Sequence, residues 1–348
     1  MLRQIWWKLL GVVIFGYVLV AGLLTPLKPG ITDATPYTAA AGTTVDITVQ
    51  GYNTHFEEGQ EQVAFLKNRK QQVIQSTSYR AFSDQQATFS FLLPDMVDKD
   101  KSALTLVINN TLDGSVILPD AITITTGANP TSNSAIWQPF DISRLHILED
   151  FRFPYRNTLN ETIRNTFFHV AIWFAMFILF IVGLIYSIKY LLKRNLRHDH
   201  VAAAFTEVGI VFGIVGLATG SIWAKYTWGT WWTDDVKLNM SAVAMLIYFA
   251  YSILRLSVKD VDSKARLSSA YNIFSFAVLI PLIFVLPRMT DSLHPGNGGN
   301  PALGGEDLDN TLRVVFYPAV IGLTLLGVWM STLVYRIGIL KDRWINDL

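Results

Sequence analysis

The stretch 170-VAIWFAMFILFIVGLIYSI-188 contains no charged side chain. An uninterrupted apolar run of this length crosses the hydrocarbon core of a bilayer as a helix, which takes roughly 20 such residues. Working outward, residues 9–27, 238–254, 267–286 and 314–335 read the same way. A sixth run, 201–222, is interrupted only by Glu207 near one end, where a carboxylate can reach the interface. The expectation is therefore six spanning helices, with Pro281 bending the fifth. Composition agrees: 51% of the 348 residues are hydrophobic, more than a soluble domain carries. A net charge of +1 gives no basic field for nucleic acid, and the absence of cysteine excludes disulfides, thiol catalysis and thiolate metal sites. Metal chemistry is left to His, Met and carboxylates.

Basic residues cluster at every second connection. Arg3 and Lys8 precede the first span; Lys189, Lys193, Arg194 and Arg197 join the second to the third; Arg255, Lys259, Lys264 and Arg266 join the fourth to the fifth; Arg336, Lys341 and Arg343 follow the sixth. By the positive-inside rule these ends face the cytoplasm, so both termini lie inside. The first run is too long, and too far from a small-residue cleavage site, for a signal peptide, so it reads as a retained anchor.

Between the first two spans lies a polar segment with the period of β-strands: Val45, Ile47 and Val49, then Ala87, Phe89 and Phe91, with further runs at 104–108 and 121–125. Turn clusters at Asn53-Thr54, Ser83-Asp84 and Asp113-Gly114 suit a small antiparallel sandwich over 31–126. Its opening (Pro36, Gly42-Thr43-Thr44-Val45, Ile47, Gly51, Phe56, then Val63 and Phe65) resembles the immunoglobulin-like IPT/TIG fold. This implies architecture, not function. The chain then divides into an anchor helix (1–27), an extracytoplasmic β domain (28–130), a linker and juxtamembrane stretch (131–166) and a five-helix membrane domain (167–348). A Gly/Asn/Pro/Ser-rich linker at 127–133 leads to an aromatic, charged stretch, 137–164, expected along the membrane surface.

With that topology three features fall on the outer face: His169 at the start of the second span, a connection at 223–237, and His294 after the fifth span. The connection holds Trp223, Trp228, Trp231 and Trp232, four of the chain's ten tryptophans. An aromatic belt at the headgroups is one explanation; a platform of flat rings for a planar apolar ligand, porphyrin above all, is the other. Two neutral imidazoles on opposite sides would saturate the axial positions of heme iron, which suits holding rather than oxygen chemistry. For either histidine alone, an interfacial residue bonded to backbone or water is the plainer explanation; two beside a tryptophan-rich connection favour ligation. Arg164 and Lys237 are the candidate partners for heme propionates, or else snorkelling headgroup anchors. His55, His146, His198 and His200 are expected not to be ligands.

At these residues a family resemblance emerges. Gly220-Ser221-Ile222-Trp223, Trp228-Gly229-Thr230-Trp231-Trp232 and Asp235 resemble the WWD motif of heme-handling membrane proteins, most nearly the CcmC type. Arg164 five residues before His169, and Leu293-His294-Pro295-Gly296 before the last span, match the same family in the same order. The resemblance implies a protein of cytochrome c biogenesis in a bacterial inner membrane. It implies that b-type heme is bound noncovalently and transiently at the periplasmic face, with His169 and His294 as axial ligands. Trp223, Trp228, Trp231, Trp232 and Asp235 would be heme contacts. It also implies hand-over to a periplasmic CcmE-type heme chaperone, an ABC-type transporter alongside, and no enzymatic step. Three departures stand out: Asp234 where a further tryptophan is common, no proline at or beside Ala171 after the first histidine, and the inserted β domain. Two other functions would account for parts of the sequence. A CcsA-type cytochrome c heme synthetase would carry further histidines within the membrane, and no span here has one at mid-membrane. A membrane-anchored binding or sensor module would use the β domain and leave six spans as mere anchors.

Overall fold

The computed structural model describes residues 5–94, 102–125, 137–294 and 308–346, except 142, 144, 149 and 158. Arg3, the linker 127–133, Pro295 and Gly296 lie outside the described residues, as does the side chain of Arg343. The chain forms two compact units, one of residues 1–25 with 161–348 and one of residues 26–160.

Among the described residues of the first unit, six helices are long and apolar enough to cross a membrane. They are α1 (Trp6–Leu24), α2 (Ala171–Lys193), α3 (Leu196–Trp228), α4 (Val236–Ser257), α5 (Val261–Ile280), which runs on through a π-helical turn into the short α6 (Leu286–Met289), and α7 (Asn310–Asn346). The first span ends at Leu24 rather than 27 because Pro26 pushes Thr25 out of the helical region, to ψ 125°. Pro281, expected to bend the fifth span, is accommodated by the π-turn Pro281–Val285.

Without a hydrophobic drive between helices in lipid, close packing needs small residues. Gly11 of α1 meets Leu325 of α7, and Gly322 of α7 meets Ile14 of α1. At the opposite end from the tryptophans, Arg255 of α4 makes a two-pronged ion pair with the buried Asp199 of α3, at 2.8 and 2.7 Å. Asn272 of α5 donates to Ser187 of α2 and Thr206 of α3, both at 3.0 Å. Four helices are thus tied by polar contacts, and those of Asn272 lie within apolar spans, where water cannot replace them.

The second unit is a β-sandwich. One sheet has the order β1 (Gly30–Thr35), β3 (Thr44–Tyr52), β7 (Gln86–Leu92), β6 (Ser78–Ser83). The other runs β10 (Gln138–Pro139), β5 (Gln72–Gln75), β4 (Val63–Lys67), β8 (Ser102–Asn110), β9 (Gly114–Thr125), β2 (Thr38–Ala40). Val45, Ile47 and Val49 stand opposite Phe91, Phe89 and Ala87, so the two alternating runs share one buried face. One pairing departs from the antiparallel expectation: β2 lies parallel to β9. The aromatic stretch expected along the membrane surface is wrapped onto this sandwich over 137–155. Trp137 packs on the core, Gln138–Pro139 extends a sheet, and Tyr155 stacks on Tyr52 at 5.2 Å. His55 and His146 belong here, paired with Asp113 at 2.7 Å and Glu61 at 2.9 Å.

Candidate functional site

α2 and α3 pack antiparallel in a single register set by glycines. A Cβ added at Gly220 would meet the His169 ring, at Gly216 the Trp173 ring, at Gly213 Met176 and Met245, at Gly209 the Phe180 ring; at Gly183 of α2 it would meet Thr206. Spacings of four, three and four place the four α3 glycines on one helical face. The bare backbone there lets side chains of α2, and of the π-helical turn Thr166–Val170 before it, lie directly against α3.

His169 is fixed by this contact. Its Nδ1 lies 3.0 Å from the Gly216 carbonyl and 3.1 Å from the Thr219 hydroxyl. A carbonyl only accepts, so the proton is assigned to Nδ1 and the Nε2 lone pair is available for a ligand.

The tryptophan-rich connection is half helix. No residue after Trp223 breaks α3 until Gly229, whose positive φ of 79° ends it, so Trp223 and Trp228 stand on the last turns of α3 rather than in a loop at 223–237. Ser221 Oγ donates to the Trp231 carbonyl at 2.8 Å and Lys225 Nζ to the Gly229 carbonyl at 2.9 Å, which closes the short loop. Asp234 accepts from Asn239 at 2.7 Å, and Asn239 Oδ1 accepts from the Trp232 indole at 3.1 Å. Asp234 therefore steers Trp232 through Asn239.

Asp235 caps α4, accepting from the Lys237 amide at 2.8 Å. The same carboxylate accepts from Ser292 Oγ and the Leu293 amide, each at 2.8 Å, and faces His294 Nδ1 at 3.1 Å. Burial opposes its charge, but these hydrogen bonds and His294 outweigh that, and the carboxyl sits below its usual range. With Nδ1–H given to the carboxylate, His294 also keeps a free Nε2 lone pair. Burial pushes the His294 pKa down to about 4; the nearby Lys237 adds to this and Asp235 opposes it. The ring is therefore neutral at pH 7. Trp223 and Trp228 flank it at 5.3 and 4.9 Å between ring centres.

One cleft brings these groups together, lined by His169, Trp173 and Phe177 from the α2 side, Gly216, Leu217, Gly220 and Ser221 from α3, Trp232, Lys237 and Ser241, then Ile283, Pro287 and His294. Of the residues singled out in the sequence, His169, His294, Trp232 and Lys237 line it. Trp223, Trp228 and Asp235 sit behind His294. Trp231 is more than half exposed and not in the lining. Arg164 is also outside it: its guanidinium donates to the carbonyls of Gly22 (2.9 Å) and Thr25 (2.7 Å) at the end of α1 and pairs with Glu161. Those carbonyls have no intrahelical donor, which explains the arginine structurally. Trp173, Phe177, Ile283 and Pro287 were not legible as site residues, because inside apolar spans they look like packing. The glycine spacing on α3 was the one signal that could have pointed to the first of them.

The family described as heme exporter protein C matches residues 150–347. Among curated proteins, the chain is similar to heme exporter protein C of Bradyrhizobium diazoefficiens, 29% identical over 52% of this chain and 68% of that protein. It is similar to that of Paracoccus denitrificans, at 27% over 52% and 75%. To that of Escherichia coli (strain K12) it is 25% identical over 51% and 70%. The strands of the β-sandwich, the last of them Gln138–Pro139, lie outside the family match, which begins at residue 150.

Proposed function

Because the chain belongs to the heme exporter protein C family, we propose that it handles heme in bacterial cytochrome c maturation, holding noncovalent b-type heme between His169 and His294. The observation that carries this is the cleft itself. Two imidazoles from distant parts of the chain line it together, each with Nδ1 committed to an acceptor and Nε2 left to bind iron. Coordination of iron by two imidazoles supplies affinity without a covalent bond. Trp232, Trp173 and Phe177 offer ring faces and edges to a flat apolar macrocycle, and Lys237, in the lining, is the cation best placed for a propionate. Trp223 and Trp228 act by packing His294.

No bond-making step falls to this chain. Heme passes to a periplasmic chaperone of the CcmE type, with an ABC-type transporter working alongside, and the β-sandwich recruits an assembly partner. The basic connections orient the bundle with both termini in the cytoplasm and the cleft and sandwich in the periplasm, as the positive-inside rule requires. Absence of native cysteine makes this directly testable: single cysteines at Glu58 and Tyr226 should label from outside intact spheroplasts, and cysteines at Lys193 and Lys259 should not. The deciding experiment is spectroscopic. Purified full-length protein should show a low-spin Soret band that His169→Ala and His294→Ala each reduce; a spectrum indifferent to both substitutions would refute the assignment.

A further inference from the structure

His169 and His294 face the same cleft but are backed by different chemistry. Behind His169 stand neutral oxygens, the Gly216 carbonyl at 3.0 Å and the Thr219 hydroxyl at 3.1 Å. Behind His294 stands a carboxylate, and it is immobilised: the Asp235 side chain is 1% exposed and receives Lys237 N, Ser292 Oγ and Leu293 N as well as His294 Nδ1. Four donors converge on it. Only an ionised carboxylate offers acceptors to all four; an asparagine would cap α4 as well but would turn an NH2 toward the Leu293 N–H or the His294 N–H.

We infer that Asp235 is a positioning residue that makes the two axial ligands unequal, so that His294 is the firm ligand and His169 the one given up first when heme leaves. This rests on the bis-imidazole assignment above. A carboxylate accepting from a ligand histidine fixes its tautomer and direction and raises its basicity, and loss of such a partner costs about 10–100-fold in metal affinity. A neutral carbonyl fixes tautomer and direction but adds less donor strength. The stronger donor also weakens the bond trans to it, so asymmetry at His294 loosens His169. On transfer, the His169 Nε2–iron bond breaks, the imidazole leaves with its own lone pair, and a donor atom of the acceptor fills the vacated position; no electron changes hands. The charge of the carboxylate favours iron(III) over iron(II), which ties retention to oxidation state.

The test uses full-length, heme-loaded protein in detergent, with heme loss followed by transfer to excess apomyoglobin. His294→Ala should lose heme at least tenfold faster than His169→Ala. Asp235→Asn should speed loss from the otherwise wild-type chain by about 10–100-fold, raise the reduction potential, and bring loss from its His169→Ala and His294→Ala double variants to within about threefold of each other. Asp260→Asn, the same change at the cap of α5 and away from the cleft, should stay near wild type in both readings. In heme-free protein, nitrogen-15 histidine spectra should show His294 with its proton on Nδ1, and Asp235→Asn should shift that resonance. Equal loss rates for the two histidine variants, or an unchanged potential in Asp235→Asn, would overturn the inference. The comparison of the two histidine variants stands even if Asp235→Asn misfolds. Failure of the bis-imidazole assignment would look different: neither histidine substitution would alter the Soret band.

Discussion

Substituting Gly220 by alanine should damage the site from behind. The new Cβ would lie 2.7 Å from His169 Cε1, while carbon atoms pack at about 3.5–4.0 Å, so the ring must retreat by about 1 Å. It has little room. Nδ1 is held at 3.0 Å by the Gly216 carbonyl, and one turn along Trp173 presses on Gly216, where a Cβ would already be 2.9 Å from its ring. Overpacking of this kind costs about 1–3 kcal/mol. Alanine returns about 1 kcal/mol through its helical preference over glycine, so the net loss of fold stability is about 0–2 kcal/mol. The ligand bears the displacement: if about 1.4 kcal/mol of it falls on heme binding, retention drops about tenfold. Heme per protein after purification, and the thermal midpoint followed by tryptophan fluorescence, would be measured beside Gly16→Ala, whose Cβ meets nothing within 4 Å. Gly16→Ala should keep its heme and its midpoint. Full heme retention in Gly220→Ala would refute the claim that the bare α3 backbone sets His169.

Other substitutions probe the frame. Arg255→Ala leaves the buried Asp199 carboxylate without its two-pronged partner and should cost about 3–5 kcal/mol, while the double change Asp199→Leu with Arg255→Met should recover most of the lost thermal midpoint. Phe89→Ala opens a cavity at a fully buried position of the sandwich and should cost that unit about 3–5 kcal/mol, read by limited proteolysis of the full chain against denaturant. Asp260 caps α5; the Ser263 hydroxyl first, then the Ser263 amide, hold its carboxyl below the ordinary aspartate value of 3.8. The unfolded chain takes up the proton before the folded one. The cap's contribution is thus complete above pH 3.8 and is lost as pH falls through the lower folded value, a step that Asp260→Asn should remove from an acid titration of the midpoint.

The six spans and the strand-forming runs were legible because each is a local pattern. Pairing was not: alternation at Val45–Ile47–Val49 and at Ala87–Phe89–Phe91 predicts two half-buried strands, but only the folded sheet sets Val45 opposite Phe91. The strands β2 and β10, of three and two residues, carry no period to read. Boundaries failed where chemistry was mistaken for conformation. Tryptophans at 223 and 228 suggested a loop, although nothing in 223–228 stops a helix before Gly229.

At the site, residue types were readable and their division of labour was not. Arg164 next to a candidate ligand invites a propionate, yet it answers carbonyls of Gly22 and Thr25, some 140 positions away in the chain. Asp235 beside the tryptophans invites a heme contact, yet it collects donors from the α4 amino terminus and from 292–294. Both contacts have one cause: main-chain groups left without partners at and beyond helix ends draw in charged side chains that can serve them. Such contacts also supply the site's precision. His169 takes its direction from a carbonyl of α3, and His294 from the carboxylate that starts α4. The spacing of the two imidazoles is therefore set by how α3 and α4 are held, and the contacts that hold them, from the glycine face to the Asp199–Arg255 pair, lie along the whole bundle.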